Sequence, residues 1–342
     1  MPIPQSLQDK LRKRQVIPFV GAGVSMNVLD RTSRQPVFPS WRQLLISAAG
    51  RLENELKTAE AELVRALLRI QRPDFLYAAQ QAREALGGVW FEFLRDALAV
   101  PYQRIDETSL ELARSVWRLG SNLVITTNYV EVLRWASQQQ GDLQSWDIEA
   151  PVQQALLLRG ELLHPVIWHL HGRISNPSDM ILSRDGYELL YPEANRATRE
   201  VHYDAALATL RQLAIAKSFL FVGFSLDDAH LGFQLRSVHD MYEGVGQHYA
   251  LVQERDAERI RNLKMGIEPI IFEHLGEPLL ALLKELEEVV SVREAPGVQT
   301  MSSERAIVIP DYGPNHPVFY VPFKQKGDEI VGQQHVLEDV RR

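Results

Sequence analysis

Residues 16–25 read VIPFVGAGVS, and the fold is decided here. Val16, Ile17, Phe19 and Val20 form a short apolar run of the kind a buried parallel strand shows, and it breaks at once into Gly21-Ala22-Gly23. A strand that ends on a glycine turn predicts the start of a βα unit. Glycine at 21 and 23 removes side chains that would keep a phosphate or ribose from the backbone, and the N–H groups of the following helix would face such a ligand. The turn is a nucleotide-binding candidate. The third glycine of GxGxxG is missing, and a strand followed by GxG also closes ordinary tight turns.

Outward from this stretch, three more apolar runs end in polar or glycine-containing turns. Asn122 to Thr126 (NLVIT) is followed by Thr127-Asn128-Tyr129. In an open parallel sheet ligands bind at the carboxyl edge, so Thr126, Thr127 and Asn128 fall where a site would lie; alternatively, Thr127 or Asn128 caps the next helix. Val166 to Leu170 ends in His171-Gly172, with His169 and His171 two apart on one strand face. No third ligand is spaced for a metal, so His169 reads as a core histidine and His171 as a candidate general base. Ser218 to Val222 (SFLFV) ends in Gly223-Phe224-Ser225-Leu226-Asp227-Asp228. An acidic residue just past a strand could bind ribose hydroxyls, and Gly223 and Ser225 favour close backbone approach; Asp227 and Asp228 equally suit a helix N-terminus.

Runs at 248–252 and 268–272 alternate with helical segments at 230–242, 254–263 and 277–290. The expected class is α/β, a doubly wound parallel (Rossmann-like) sheet. Residues 4–14 read as a short polar helix and 26–39, with Pro36 and Pro39, as a mobile loop over the glycine turn. From Ser40, a plausible N-cap, helical periodicity through Trp41, Leu67, Phe75, Trp90 and Trp117 predicts a helical insertion of about five helices over 40–118.

The 342 residues include 45% apolar side chains, enough for a substantial core, and carry a net charge of −7, which argues against a chain built to neutralise nucleic-acid phosphates. There is no cysteine, which excludes disulfides, thiolate zinc sites and cysteine nucleophiles. With neither a signal-peptide core nor an apolar run long enough to span a bilayer, a cytoplasmic protein without membrane contact is expected.

GAGVS at 21–25, TTNY at 126–129, HLHG at 169–172 and GFSLDD at 223–228 together resemble the ordered blocks of the sirtuin (silent information regulator) family, in the divergent branch found in bacterial antiphage defence. The resemblance spans about 14–290. It implies NAD as substrate, bound by Gly21, Ala22, Gly23 and Ser25, with Asn128 at the nicotinamide ribose, His171 as catalytic base, Gly223 and Ser225 on the adenosine side, and Thr127 and Asp228 as further cofactor-binding residues. Deacylating sirtuins carry a four-cysteine zinc module, absent here, and an Asp two residues after the motif Asn, where this chain has Val130. The implied activity is therefore cleavage of NAD to nicotinamide and ADP-ribose, with protein deacylation or non-catalytic binding of NAD or ADP-ribose as alternatives.

Past about Glu294 the rhythm stops, and Pro310, Pro314, Pro317 and Pro322 punctuate an extended segment. Its end, with Ile330-Val331-Gly332, resembles the lead-in to bacterial STAND ATPase domains. The domain reading is 1–294 as the sirtuin-like domain and 295–342 as a linker toward a sensor and ATPase region of a longer parent chain. This resemblance implies gating by self-association after a phage-derived trigger is sensed.

Overall fold

Seven strands build the sheet: β1 (Val16–Val20), β2 (Leu123–Thr126), β3 (Gln144–Trp146), β4 (Val166–His169), β5 (Ser218–Val222), β6 (His248–Gln253) and β7 (Ile267–Phe272). The structure, a computed structural model, describes residues 3–71, 73–138, 141–148, 151–192, 201–242 and 247–291. Strand order is β3-β4-β2-β1-β5-β6-β7 and every pairing is parallel. The order departs from β1 in both directions, so the sheet is doubly wound and its switch point lies between the carboxyl ends of β1 and β5, with β2 next to β1.

The strands are apolar on both faces because both faces are covered. Val20, Val124, Ile167 and Leu220 join one core layer; Phe19, Ile125, Trp168, Phe219 and Phe221 join the other. Phe19 lies with its ring centroid 5.0 Å from that of Phe221 and 5.5 Å from that of Phe224, which ties β1 to β5 and its turn.

The helices are α1 (Gln5–Arg12), α2 (Ala22–Ser25), α3 (Trp41–Asn54), α4 (Thr58–Arg69), α5 (Phe75–Leu86), α6 (Val89–Leu98), α7 (Glu111–Arg118), α8 (Val132–Ala136), α9 (Pro151–Arg159), α10 (Arg184–Leu190), α11 (Val201–Ala216), α12 (Ala229–Met241), α13 (Glu254–Asn262) and α14 (Glu277–Ser291). The expected insertion is present as α3 to α7. Ser40 starts it with a reciprocal capping box: its hydroxyl accepts from the Gln43 N–H, and the Gln43 side chain accepts from the Ser40 N–H. Polar contacts fasten α5 to α10, namely Gln80 to Asp185 at 2.8 Å, Arg83 to the Ser183 hydroxyl at 3.1 Å and Arg184 to Asp74 at 2.8 Å.

The structure corrects some local expectations. The 26–39 segment is anchored rather than loose: Asp30 accepts from the N–H groups of Thr32 and Ser33 and pairs with Arg104, while Arg34 pairs with Asp106. Edge strand β3 is an addition to the expected runs, because Gln144-Ser145-Trp146 is short and only Trp146 is buried. Helices α9 and α10 are further additions. The described residues belong to one unit, Met1–Arg293, and the proposed linker at 295–342 lies outside them. Among the described residues no helix is long and apolar enough to cross a membrane.

Candidate nucleotide site at the carboxyl edge of the sheet

The β1 and β5 turns interlock. The Gly23 N–H donates to the Gly223 carbonyl at 2.8 Å, and a Cβ on Gly21 or Gly23 would stand 2.5 or 2.8 Å from that same oxygen. Gly223 has φ +63°, and a Cβ there would meet the Val24 nitrogen at 2.7 Å. All three positions require glycine because two backbones touch. The space left by the missing side chains at 21 and 23 is filled by Gly223 and Phe224, which differs from the expectation that it admits a ligand. The amides differ too: the N–H groups of Gly21, Gly23 and Val24 donate to Val222, Gly223 and Gly21 carbonyls.

Asn128 is fixed to this turn. Its Nδ2 donates to the Gly21 carbonyl at 2.8 Å and to Ser25 Oγ at 3.0 Å. Its backbone N–H donates to Thr126 Oγ1 at 3.0 Å, and its carbonyl lies 2.9 Å from His169 Nδ1. The Thr126 hydroxyl in turn donates to Val20 O. Neither Thr127 nor Asn128 caps a helix, since α8 begins at Val132 with Glu131 at its N-cap and no side-chain cap bond. With both Nδ2 hydrogens engaged, Oδ1 is the amide atom Asn128 can offer to a ligand.

A second cluster surrounds His171. Its Nε2 lies 3.0 Å from the Tyr191 hydroxyl, and its ring packs edge-on to Tyr187 at 5.1 Å. Tyr187 donates to Asp228 Oδ2 at 2.9 Å, and His230 packs on both tyrosines. Burial pushes the His171 imidazole down from its ordinary 6.5 to about 4, against the opposing pull of the Asp228 carboxylate. His171 is therefore neutral at cellular pH, rather than poised near 6.5. Burial raises the Tyr187 and Tyr191 phenols well above their ordinary range.

The sheet thus gathers Gly21, Gly23, Ser25, Asn128 and Gly223 into one bonded group, and His171 with Asp228 into another. Asp228 also accepts from the His230 and Leu231 N–H groups through Oδ1, so the helix-capping alternative holds for it. Ala22 and Ser225 are exposed and Thr127 half-buried at the rim. The Ser225 carbonyl accepts from Arg259 Nη2, and its hydroxyl bonds only within the turn. Sequence reasoning missed Tyr187, Tyr191 and His230. The i, i+4 spacing of the two tyrosines was the available signal. Among the described residues no group of three or more His, Asp or Glu is placed to hold a metal ion.

The seven-stranded, doubly wound α/β sheet places these residues at the carboxyl edge near its switch point, where ligands bind in open α/β sheets. Residues 122–270 match the family model of the SIR2-like domain. The chain is 27% identical over 140 residues to the NAD(+) hydrolase ThsA of Bacillus cereus (strain MSX-D12), covering 41% of this chain and 27% of that protein. It is 26% identical over 130 residues to the NAD(+) hydrolase ThsA of Acinetobacter baumannii (strain 532279), covering 38% of this chain and 24% of that protein. These matches span about a quarter of each relative's length. A solved chain from work on the mechanism and regulation of Sir2 enzymes aligns over 84% of this chain and 98% of its own, at 12% identity and a TM-score of 0.36.

Proposed function

We propose that this chain binds NAD at the carboxyl edge of the sheet and hydrolyses its nicotinamide–ribose bond, giving nicotinamide and ADP-ribose. The observation that carries the reading is the fixed Asn128, whose Nδ2 is bonded to Gly21 and Ser25 and whose Oδ1 is left to hold a ribose hydroxyl or a water. The SIR2-like match over 122–270 and the NAD(+) hydrolase relatives support the substrate class.

Cleavage develops positive charge at C1′ as nicotinamide leaves with the bonding electron pair, and water then supplies oxygen to C1′ and gives up a proton. Neutral His171 is available to take that proton, through Nδ1 or by way of the Tyr191 hydroxyl held against Nε2. In this proposal Asn128 holds the nicotinamide ribose, Gly21, Ala22, Gly23, Ser25 and Thr127 belong to the NAD-binding edge around it, Gly223 and Ser225 lie toward the adenosine side, and Asp228 is a further cofactor-binding residue next to the His171 cluster. Antiphage defence, gating by self-association, and the sensor and ATPase region belong to the same proposal, on the sequence resemblance.

NAD consumption with product identification at several protein concentrations tests it. Wild type should release nicotinamide and ADP-ribose, rising faster than linearly with protein. Asn128→Ala and His171→Ala should lose on the order of 10²–10⁴ in rate. Wild-type turnover in both variants would remove these residues from the chemistry, and NAD binding by wild type without turnover would favour a binding module.

A further inference from the structure

The strand pattern reads His169 as a satisfied core histidine, yet it is only half satisfied. The ring is 1% exposed on β4, directly in register with Thr126 of β2. Its Nδ1 lies 2.9 Å from the Asn128 carbonyl. A carbonyl can only accept, so Nδ1 carries the hydrogen and, in the neutral ring, Nε2 carries a lone pair. Nε2 is buried and has no hydrogen-bond partner. The surroundings keep the ring neutral, since burial and the Arg173 and Arg134 guanidiniums outweigh the Asn128 carbonyl and lower its pKa to about 4. Orphaning a buried acceptor is unfavourable, and an aliphatic side chain at this position would avoid it. The single bond that histidine does make goes to the residue whose side chain faces the candidate ligand.

That bond completes a clamp. Thr126 Oγ1 accepts the Asn128 N–H, and His169 Nδ1–H reaches the Asn128 carbonyl, so both peptide groups flanking the Asn128 Cα are held by register partners on adjacent strands. We propose that His169 is a positioning residue, whose Nδ1–H fixes the Asn128 backbone and thereby the direction in which Asn128 Oδ1 meets the ribose or the attacking water. The role rests on the NAD site proposed above.

The paired variants His169→Asn and His169→Gln test it, because Asn places an amide N–H near the Nδ1 position whereas Gln places one near Nε2. His169→Asn should keep kcat within about threefold of wild type, and His169→Gln should lose roughly 10–100-fold in kcat with KM changed less than about threefold. If both variants lose activity equally, in step with their melting temperatures, His169 is structural only and the inference is overturned. Nitrogen NMR on the wild-type protein reads the same point without a variant. Protonated Nδ1 and bare Nε2 at pH 7 support it, and the opposite tautomer overturns it. Wild type that neither turns over nor binds NAD overturns the functional reading and the ligand-positioning role with it. Turnover in wild type with the two variants equal overturns the positioning role alone.

Discussion

At the scale of single residues, burial sets the chemistry. His171 sits among Tyr187, Tyr191 and His230 with 2% exposure, and its low pKa leaves it unprotonated across the neutral range. Because kcat/KM reports the ionisation of free enzyme, the NAD hydrolysis profile should stay flat from pH 8 to about 5 and fall only as pH approaches about 4, where the base is protonated. An inflection near 6.5 would mean that His171 titrates as a solvated imidazole. The sequence put Asn128 and His171 at strand ends, since a polar residue directly after an apolar run is a local signal. It could not reveal the bond between His169 and Asn128 or the Tyr191 hydroxyl against His171. Those contacts join residues 41 and 20 apart in the chain, and only the packed sheet brings them together.

At the scale of elements, the contact between the β1 and β5 turns fixes how the site edge is built. Gly223→Ala combines a positive φ with a Cβ 2.7 Å from the Val24 nitrogen, and backbone atoms on both sides leave little room to relax. It should cost about 2 kcal/mol or more, from the left-handed penalty of roughly 1–2 kcal/mol plus the clash. Gly50→Ala provides the contrast. Gly50 lies inside α3 with nothing within 4 Å of the methyl group an alanine would carry, so the substitution should stabilise by roughly 0.5–1 kcal/mol through helix propensity. Urea denaturation of both variants checks the pair, and equal effects would contradict the interlock. Glycines 21, 23 and 223 were legible as special, but the reason for them was not. Sequence suggested space for a ligand, whereas the space is occupied by a second turn about 200 residues away, as the Gly23–Gly223 bond shows. The α5–α10 fastening was equally hidden, because Gln80 and Asp185 are ordinary surface residues until the insertion folds back.

At the scale of the whole molecule, the alternation of apolar runs with helical periods foretold a doubly wound sheet, while β3 escaped because a short edge strand with one buried side chain has too little pattern to read. The same burial that made the central strands legible encloses His169, His171 and His248, the last accepting the Phe219 N–H at Nδ1. Burial lowers His169 and His171 to about 4 and His248 to about 3. The sign follows from proton binding. Below 6.5 the unfolded chain takes up protons that the folded protein refuses, so stability falls as pH drops from about 6.5 toward 4 and is independent of these groups above 6.5. At pH 5 each histidine should cost about 2 kcal/mol relative to pH 7. The lowered carboxyls of Asp30, Glu53 and Asp106 act in the opposite region, contributing above their unfolded pKa values and losing that contribution only at more acidic pH. The pH 5–6.5 window therefore belongs to the buried histidines. Thermal melting should show a marked drop in Tm from pH 7 to pH 5, and His248→Gln should shrink that drop, since it removes one of the three buried imidazoles. A Tm that is the same at pH 5 and pH 7 would show that these rings protonate in place, and that the sheet edge carrying His169 and His171 is open to water.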